Sequence, residues 1–236
     1  MKHAKPFLIL SALLLITLGV VLMMYDKAQL HLAMNAYHSP MLDLFFRHFT
    51  CVGEWVPYVI VVGLLFYKAG WAVFLLVDVL LSGLFVQIAK HIFNTDRPYM
   101  YFAQNMPDVQ LPLVEGVTLS RWFSFPSGHT ATFFVLFLTL TFVLTEMTKP
   151  TYDVAVSPRN GSTIHSRLGM LIINLICFLF AVLGAYSRIY LSQHFAEDIF
   201  GGMIVGIVTT CLLYIAVPSL QKKSFWDWRV KKTGEK

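Results

Sequence analysis

Long apolar runs, separated by short polar segments, dominate the pattern of this chain. Each run approaches the length of about 20 residues that an α-helix needs to cross the hydrocarbon core of a bilayer. The pattern therefore predicts an all-α fold, a bundle of six transmembrane helices. The predicted spans are Phe7–Met24, Val52–Tyr67, Trp71–Ile92, Thr130–Leu144, Leu168–Tyr186 and Phe195–Val217.

Composition agrees with this pattern, since 57% of the 236 residues are hydrophobic and only 13% are charged. Such values indicate an integral membrane protein and exclude an ordinary soluble domain. The first run, which follows Lys2 and Lys5, also resembles a signal peptide, but no A-x-A-like cleavage site follows it. Residues 1–24 are therefore predicted to stay as the first span. Residues 1–236 form one predicted domain that ends in a basic cytoplasmic tail, 219–236.

The distribution of lysine and arginine predicts the orientation of the bundle, because basic residues in short loops stay on the cytoplasmic side. With both termini inside, twelve of these residues lie on the cytoplasmic side and six on the other. The cytoplasmic set is Lys2, Lys5, Lys68, Lys149, Arg159, Arg167 and the six basic residues of the tail; the outer set is Lys27, Arg47, Lys90, Arg97, Arg121 and Arg188. Both termini are therefore expected in the cytoplasm.

Two segments between the spans are expected on the outer face. Residues Tyr25–Thr50 alternate apolar with charged positions, which suits short helices lying in the membrane interface. Tyr99–Phe125 is predicted to be a loop rich in aromatic residues. Its rings fit either an ordinary belt at headgroup level or a wall along which a lipid reaches the protein, and the sequence leaves both open.

Three short polar islands also fall on the predicted outer face, and the first two are Lys90–Pro98 and Pro126–His129. If the first island continues a helix, Lys90 and Arg97 return to nearly the same face, about 10 Å apart along the axis. In the second island, a serine that can cap a helix and a glycine precede an apolar run. A helix N-terminus of this kind suits a bound phosphate. An ordinary helix cap is the alternative, but it leaves His129 without a role.

The third island, Ser187–Asp198, carries the groups best suited to covalent chemistry. His194 and Asp198 are four residues apart, so a helix places them on one face, and a carboxylate there fixes the tautomer that leaves Nε2 free to attack. Arg188 supplies a planar donor fork that fits phosphate oxygens. The same spacing also suits a structural pair or half of a metal site, although no HExxH or cysteine-bearing ligand set accompanies it.

Together the islands resemble the signature of the type-2 phosphatidic acid phosphatase superfamily. That signature is Lys, six residues, Arg-Pro; then Pro-Ser-Gly-His; then Ser-Arg, five residues, His, three residues, Asp. Every position is filled in order, by Lys90, Arg97, Pro98, Pro126, Ser127, Gly128, His129, Ser187, Arg188, His194 and Asp198. The six-helix layout also resembles the membrane branch of this family.

The resemblance implies a role for each residue. His194 would attack phosphorus and form a phosphohistidine. Asp198 would orient the His194 ring and stabilise its positive charge. His129 would protonate the leaving oxygen and later activate water. The nonbridging oxygens would be held by Lys90, Arg97, Ser127, the Gly128 N–H and Arg188. Neither a metal nor any other cofactor is expected, because cationic side chains already stabilise the transferring group.

The expected function is hydrolysis of a lipid phosphomonoester or diphosphate. Candidate substrates are undecaprenyl diphosphate, phosphatidylglycerol phosphate, phosphatidate and lipid A phosphates. A phosphotransferase acting on a lipid or sugar acceptor is the first alternative, and an anion transporter is the second. The expected partners are the lipid substrate and the bilayer, with no nucleic acid, and the oligomeric state stays open. A bacterial inner membrane, with the site facing the periplasm or exterior, is the expected location.

Two further sets of residues are predicted to carry structure. Asp78 and Asn174 lie at equal depth in their helices, which allows a buried hydrogen bond between them. A structural role is favoured for Asp78, and a proton or ion path is the alternative. Gly202 and Gly206 form a small-xxx-small pair, which favours close packing of the last helix inside the monomer.

Overall fold

The computed structural model describes residues 1–148 and 160–217, and for residues 160–166 it describes the backbone alone. All regular secondary structure in these residues is helical, which confirms the all-α prediction. The helices are α1 Lys5–Met24, α2 Lys27–Met34, α3 Pro40–Phe49, α4 Val56–Tyr67, α5 Ala69–Phe93, α6 Pro98–Asn105, α7 Gly128–Met147, α8 Asn160–Tyr190 and α9 Ala196–Ala216, with short 3₁₀ helices at Lys2–Ala4 and Thr50–Gly53. The predicted tail, 219–236, lies outside the described residues.

Five helical stretches in the described part of the chain are long and apolar enough to cross a membrane. They are Lys2–Met24, Ala69–Asn105, Gly128–Met147, Arg167–Tyr190 and Ala196–Ala216. A sixth span exists only if Pro40–Gly53 and Val56–Tyr67, which are bent by 52°, count as one. Helix α4 alone has 12 residues, so it is only about 18 Å long. The predicted span Val52–Tyr67 therefore begins too early, because residues 50–53 form the 3₁₀ helix.

The long helices alternate in direction and place the three polar islands at one end of the bundle, here called the cavity end. Helix α7 lies in the middle and contacts α5, α8 and α9. A Cβ atom at Gly202 would lie 2.5 Å from the Ser127 carbonyl oxygen, and one at Gly206 would lie 2.5 Å from the Ala131 carbonyl oxygen. The predicted packing role of these glycines is therefore confirmed, since they let α9 approach the backbone of α7.

The first polar island does not continue a helix. Helix α5 ends at Phe93, because Asn94 takes the left-handed conformation with φ of 41°. Arg97 is instead the N-cap residue of α6, and Pro98 begins that helix where a missing N–H costs nothing. The expected single helix face for Lys90 and Arg97 is therefore wrong. The predicted loop after Pro98 is also partly wrong, because α6 occupies its first turns.

The opposite end of the bundle holds the first residues of α1 and the last of α9. There the Phe7 N–H donates to Asn174 Oδ1 at 3.1 Å, and Asn174 Nδ2 donates to the His3 carbonyl oxygen at 2.9 Å. Asn174 thus ties α1 to α8, and the predicted Asp78–Asn174 hydrogen bond is wrong. Asp78 is fully buried and lies beside Thr209 and Thr210 of α9.

Candidate active site

A cavity of about 800 Å³ opens at the cavity end of the bundle. Its described lining combines residues from all three polar islands, although α5, the N-cap of α6, α7, α8 and the α8–α9 turn supply them separately. The predicted site residues in this lining are Lys90, Arg97, Gly128, His129, Arg188 and His194. Ser127 and Asp198 are not among the lining residues.

His194 lies in the tight turn between α8 and α9, two residues before α9 begins. The predicted shared helix face of His194 and Asp198 is therefore wrong, although the two side chains do meet. The N–H groups of Gln193 and His194 both donate to the Arg188 carbonyl oxygen, at 2.9 and 3.1 Å, which closes the end of α8. Ser192 reverses the chain with φ of 50°. The turn directs the His194 imidazole into the cavity, although only 1% of the residue is exposed.

Asp198, in the first turn of α9, contacts the Nδ1 side of this imidazole. Its Oδ2 lies 3.3 Å from His194 Nδ1 and also accepts hydrogen bonds from the Phe195 N–H at 2.8 Å and Ser124 Oγ at 2.6 Å. Its carbonyl oxygen accepts from the Ser127 N–H at 2.9 Å, joining the second and third islands. These contacts fix a carboxylate on the Nδ1 side of the ring and leave Nε2 for the cavity.

The electrostatic surroundings keep the His194 ring neutral. Burial lowers the pKa of His194 well below its ordinary value, and nearby positive charges lower it further. These charges belong to Arg97, Arg188 and Lys90. A neutral imidazole with its Nδ1–H directed to a carboxylate has a free lone pair on Nε2, which is what a nucleophile requires.

Arg97 is held by backbone and side-chain acceptors. Its Nε donates to the Trp122 carbonyl oxygen at 3.1 Å, and its Nη1 donates to Gln193 Oε1 at 3.1 Å. Because Gln193 precedes His194, the same turn fixes the nucleophile candidate and the guanidinium. Arg188 is 6% exposed and donates through Nη1 to Thr50 Oγ1.

The second polar island caps α7 as its sequence predicts. Ser127 Oγ accepts from the Thr130 N–H at 3.4 Å and from Thr130 Oγ1 at 3.0 Å. The Ser127 hydroxyl therefore serves the helix cap, and Ser127, which the sequence predicted to bind phosphate, does not line the cavity. Gly128 begins α7 and lines the cavity, so its backbone can be approached by an anion. His129 follows, and its Nε2 lies 2.9 Å from Glu54 Oε1.

Sequence reasoning missed four residues that complete this site: Thr50, Glu54, Ser124 and Gln193. Ser124 and Gln193 adjoin motif residues, so their position in the sequence carried a weak signal. The positions of Thr50 and Glu54 carried no such signal, because they are more than 70 residues from the groups they contact. Among the cavity-lining residues that the structure describes, Glu54 has the one carboxylate.

Two solved structures resemble this fold. A crystal structure of LpxE from Aquifex aeolicus matches with a TM-score of 0.59 and 26% identity, over 80% of this chain and 94% of the other. The first transmembrane PAP2-type phosphatidylglycerolphosphate phosphatase from Bacillus subtilis matches with a TM-score of 0.60 and 19% identity, over 95% of this chain and 100% of the other. At 19% identity, the second likeness shows the fold alone.

The comparison with curated proteins found no match. The family model of the PAP2 superfamily, by contrast, matches residues 71–222, which include all three polar islands. This integral membrane protein therefore belongs to the PAP2 superfamily.

Proposed function

We propose that this protein is a membrane lipid phosphatase that hydrolyses a phosphomonoester or diphosphate headgroup through a phosphohistidine on His194. The observation that carries the proposal is the His194 imidazole, which contacts Asp198 and lines a cavity together with Lys90, Arg97 and Arg188. Membership of the PAP2 superfamily supports phosphoric ester hydrolysis. Membrane-spanning helices favour a substrate that is itself held in the bilayer.

In the first step, His194 Nε2 attacks phosphorus and the bond from phosphorus to the lipid oxygen breaks. His129 gives its proton to that oxygen, so the leaving oxygen departs as a hydroxyl group and not as an anion. The cationic side chains and the Gly128 N–H bind the nonbridging oxygens, whose charge they stabilise in the transition state. Asp198 stabilises the positive charge on the His194 ring through Nδ1.

In the second step, water attacks the phosphohistidine. His129, now neutral, accepts a proton from this water, and the bond between phosphorus and Nε2 breaks. Inorganic phosphate is released and both histidines regain their first protonation states. The same intermediate would pass its phosphoryl group to a lipid or sugar hydroxyl if one replaced the water, which is the phosphotransferase alternative.

The substrate candidates are the four lipid phosphates expected from the sequence. The similar Bacillus subtilis structure is a phosphatidylglycerolphosphate phosphatase, so phosphatidylglycerol phosphate is included in the assay panel. Undecaprenyl diphosphate, phosphatidate and a lipid A phosphate complete the panel. We place the enzyme in a bacterial inner membrane, with the cavity facing outward.

The experiment is phosphate release from this panel by purified protein in detergent, without an added acceptor. We expect free phosphate from at least one lipid, inhibition by vanadate, which adopts the geometry of phosphoryl transfer, and full activity in EDTA. Strong inhibition by EDTA would favour a metal mechanism. Phosphate release only after an acceptor is added would favour the phosphotransferase. Transport of a phosphate compound without any hydrolysis would favour the anion transporter.

Two variants test the nucleophile. His194→Ala should abolish turnover, and Asp198→Asn should lower kcat by about 10²- to 10⁴-fold while binding is retained. Rapid alkaline quenching of wild-type protein with ³²P-labelled substrate should trap a phosphohistidine, which is stable in base and labile in acid. Full activity of His194→Ala would contradict the assignment.

A further inference from the structure

The segment from Thr50 to Glu54 lies outside the signature, yet it contacts two residues that belong to it. Thr50 Oγ1 accepts from Arg188, and Glu54 Oε1 lies 2.9 Å from His129 Nε2. The match to the family model begins only at residue 71. A short connection between α3 and α4 therefore completes a site whose signature residues all come from the matched region.

This connection is shaped around the His129 ring. Gly53 is buried, and a Cβ atom there would lie 2.7 Å from Phe133 Cε2 and 3.5 Å from His129 Cδ2. The absent side chain lets the 3₁₀ helix lie directly against α7. Glu54 then follows at the cavity wall, where its carboxylate reaches His129 while half of its side chain, 50%, stays exposed.

We propose that Glu54 is a positioning residue that orients the His129 ring and stabilises the positive charge it carries as a general acid. The inference rests on the proposed function, since it assigns Glu54 to the proton transfers of that reaction. In effect, the site has two histidine–carboxylate pairs. Asp198 serves the nucleophile, and Glu54 serves the acid and base.

The charges around His129 show why such a partner is needed. Arg188, Arg97 and Lys90 all act on its imidazole, so a protonated ring there meets positive charge from α5, from α8 and from the N-cap of α6. Glu54 provides the compensating negative charge, and it also acts on Arg188. Without it, a proton on His129 would be opposed by every cationic side chain of the phosphate site.

The contact also assigns the ring nitrogens. A carboxylate accepts the Nε2–H, so Nδ1 is the nitrogen that exchanges the catalytic proton. In the first step the Nδ1–H bond breaks as the proton moves to the leaving lipid oxygen. In the second step a proton from water returns to Nδ1. Glu54 stays ionised and Nε2 keeps its hydrogen throughout.

The kinetic test compares two leaving groups. An alkyl lipid phosphate requires protonation of its leaving oxygen, whereas p-nitrophenyl phosphate has a leaving group that needs no proton. Glu54→Gln keeps an acceptor oxygen but removes the charge, so we expect kcat on the lipid to fall about 10- to 100-fold with little change in KM. The burst of p-nitrophenol should keep its wild-type rate. The kcat of Glu54→Ala on the lipid should be lower than that of Glu54→Gln. The kcat of Glu54→Asp, which retains a carboxylate, should be higher than that of Glu54→Ala.

Glu197→Gln is the matched control, because this carboxylate lies 3.7 Å from Lys27 and outside the cavity lining. It should behave as wild type. Equal slowing of the lipid and the p-nitrophenyl reaction in Glu54→Gln would indicate a merely structural role and overturn the inference. A change confined to KM would also overturn it, since Glu54 would then contact the headgroup instead of serving His129.

A spectroscopic test is independent of turnover. The ¹⁵N resonances of the His129 imidazole, assigned by their loss in His129→Gln, should carry the signature of a hydrogen-bonded Nε2–H in wild type and lose it in Glu54→Ala. An unchanged spectrum would overturn the inference even if the enzyme is active. If wild-type protein hydrolyses none of the lipids, the proposed function fails, and the spectrum still decides the contact between Glu54 and His129.

Discussion

At the scale of single residues, His31 shows how α2 supports the turn between α8 and α9 that contains His194. Its ring is fully buried on α2, between Phe102 and Phe195, and its Nε2 lies 3.5 Å from Ser192 Oγ. Asn35 Nδ2 donates to the same hydroxyl at 2.7 Å. Ser192 is the residue that reverses the chain just before His194, so α2 braces the turn that positions the nucleophile.

His31 makes the stability of the protein depend on pH. Burial lowers the pKa of His31 from 6.5 to about 4, and the charge of Asp198 opposes part of this shift. The unfolded chain therefore binds a proton below about pH 6.5 that the folded protein does not bind until about pH 4. The free energy of unfolding should fall as the pH is lowered through this window, by about 3 kcal/mol from this group.

The measurement is thermal unfolding in detergent at several pH values, for wild type and for His31→Gln. The variant retains a polar group for Ser192 but cannot titrate. Its melting temperature should fall less than that of wild type between pH 6.5 and pH 4. Parallel curves for the two proteins would show that His31 does not bind the proton that destabilises the fold.

At the scale of elements, the packing of α9 against α7 holds the catalytic groups in register. Gly202 and Gly206 face the backbone of α7 across two consecutive turns. Asp198 begins the same helix, and its carbonyl oxygen binds the Ser127 N–H at the start of α7. A shift between the two helices would therefore separate Asp198 and His194 from Gly128 and His129.

Gly206→Ala should disturb this packing, because its Cβ would lie 2.5 Å from the Ala131 carbonyl oxygen. We expect a loss of about 1–3 kcal/mol in stability and a lower kcat, although the position is about 12 Å along α9 from Asp198. Gly63→Ala on α4 is the control, since a Cβ atom there would meet nothing within 4 Å. Equal melting temperatures and activities for both variants would contradict the packing argument.

The helices themselves were predictable, because long apolar runs leave little alternative to a membrane helix. The ends of the helices were less so. Asn94 ends α5 by taking a left-handed conformation, which the polar and apolar pattern did not predict. The bend before α4 follows from the 3₁₀ helix at Thr50–Gly53. Local patterns fix the type of an element better than its boundaries.

At the scale of the whole molecule, the site combines local motifs with contacts between distant segments. The cap of α7 follows from its local sequence, and the short spacing of His194 and Asp198 brings them together across the turn that precedes α9. Glu54 joins His129 because the 3₁₀ helix Thr50–Gly53 packs against α7 and places Glu54 beside that helix. Such a contact depends on the tertiary arrangement. It leaves no pattern in a single sequence from which it could be predicted.

The alternation of helices also fixes a relation between the cavity and the chain ends. The first residues of α1 and the last of α9 lie at the end opposite the cavity. The excess of lysine and arginine, counted along the sequence, favours that end for the cytoplasm. We therefore expect the cavity to open to the periplasm or cell exterior, where it meets lipids of the outer leaflet.

Cys51 provides a native reporter for this orientation. It is half-buried and lines the cavity, whereas Cys177 is buried in α8 and Cys211 lies within α9. A membrane-impermeant maleimide should label the protein in sealed spheroplasts and not in sealed inverted vesicles, and Cys51→Ser should remove the label. Vanadate should slow labelling, because an anion in the cavity obstructs the thiol. Labelling of Cys51 only in inverted vesicles would mean that the cavity faces the cytoplasm and that the charge asymmetry does not set the orientation.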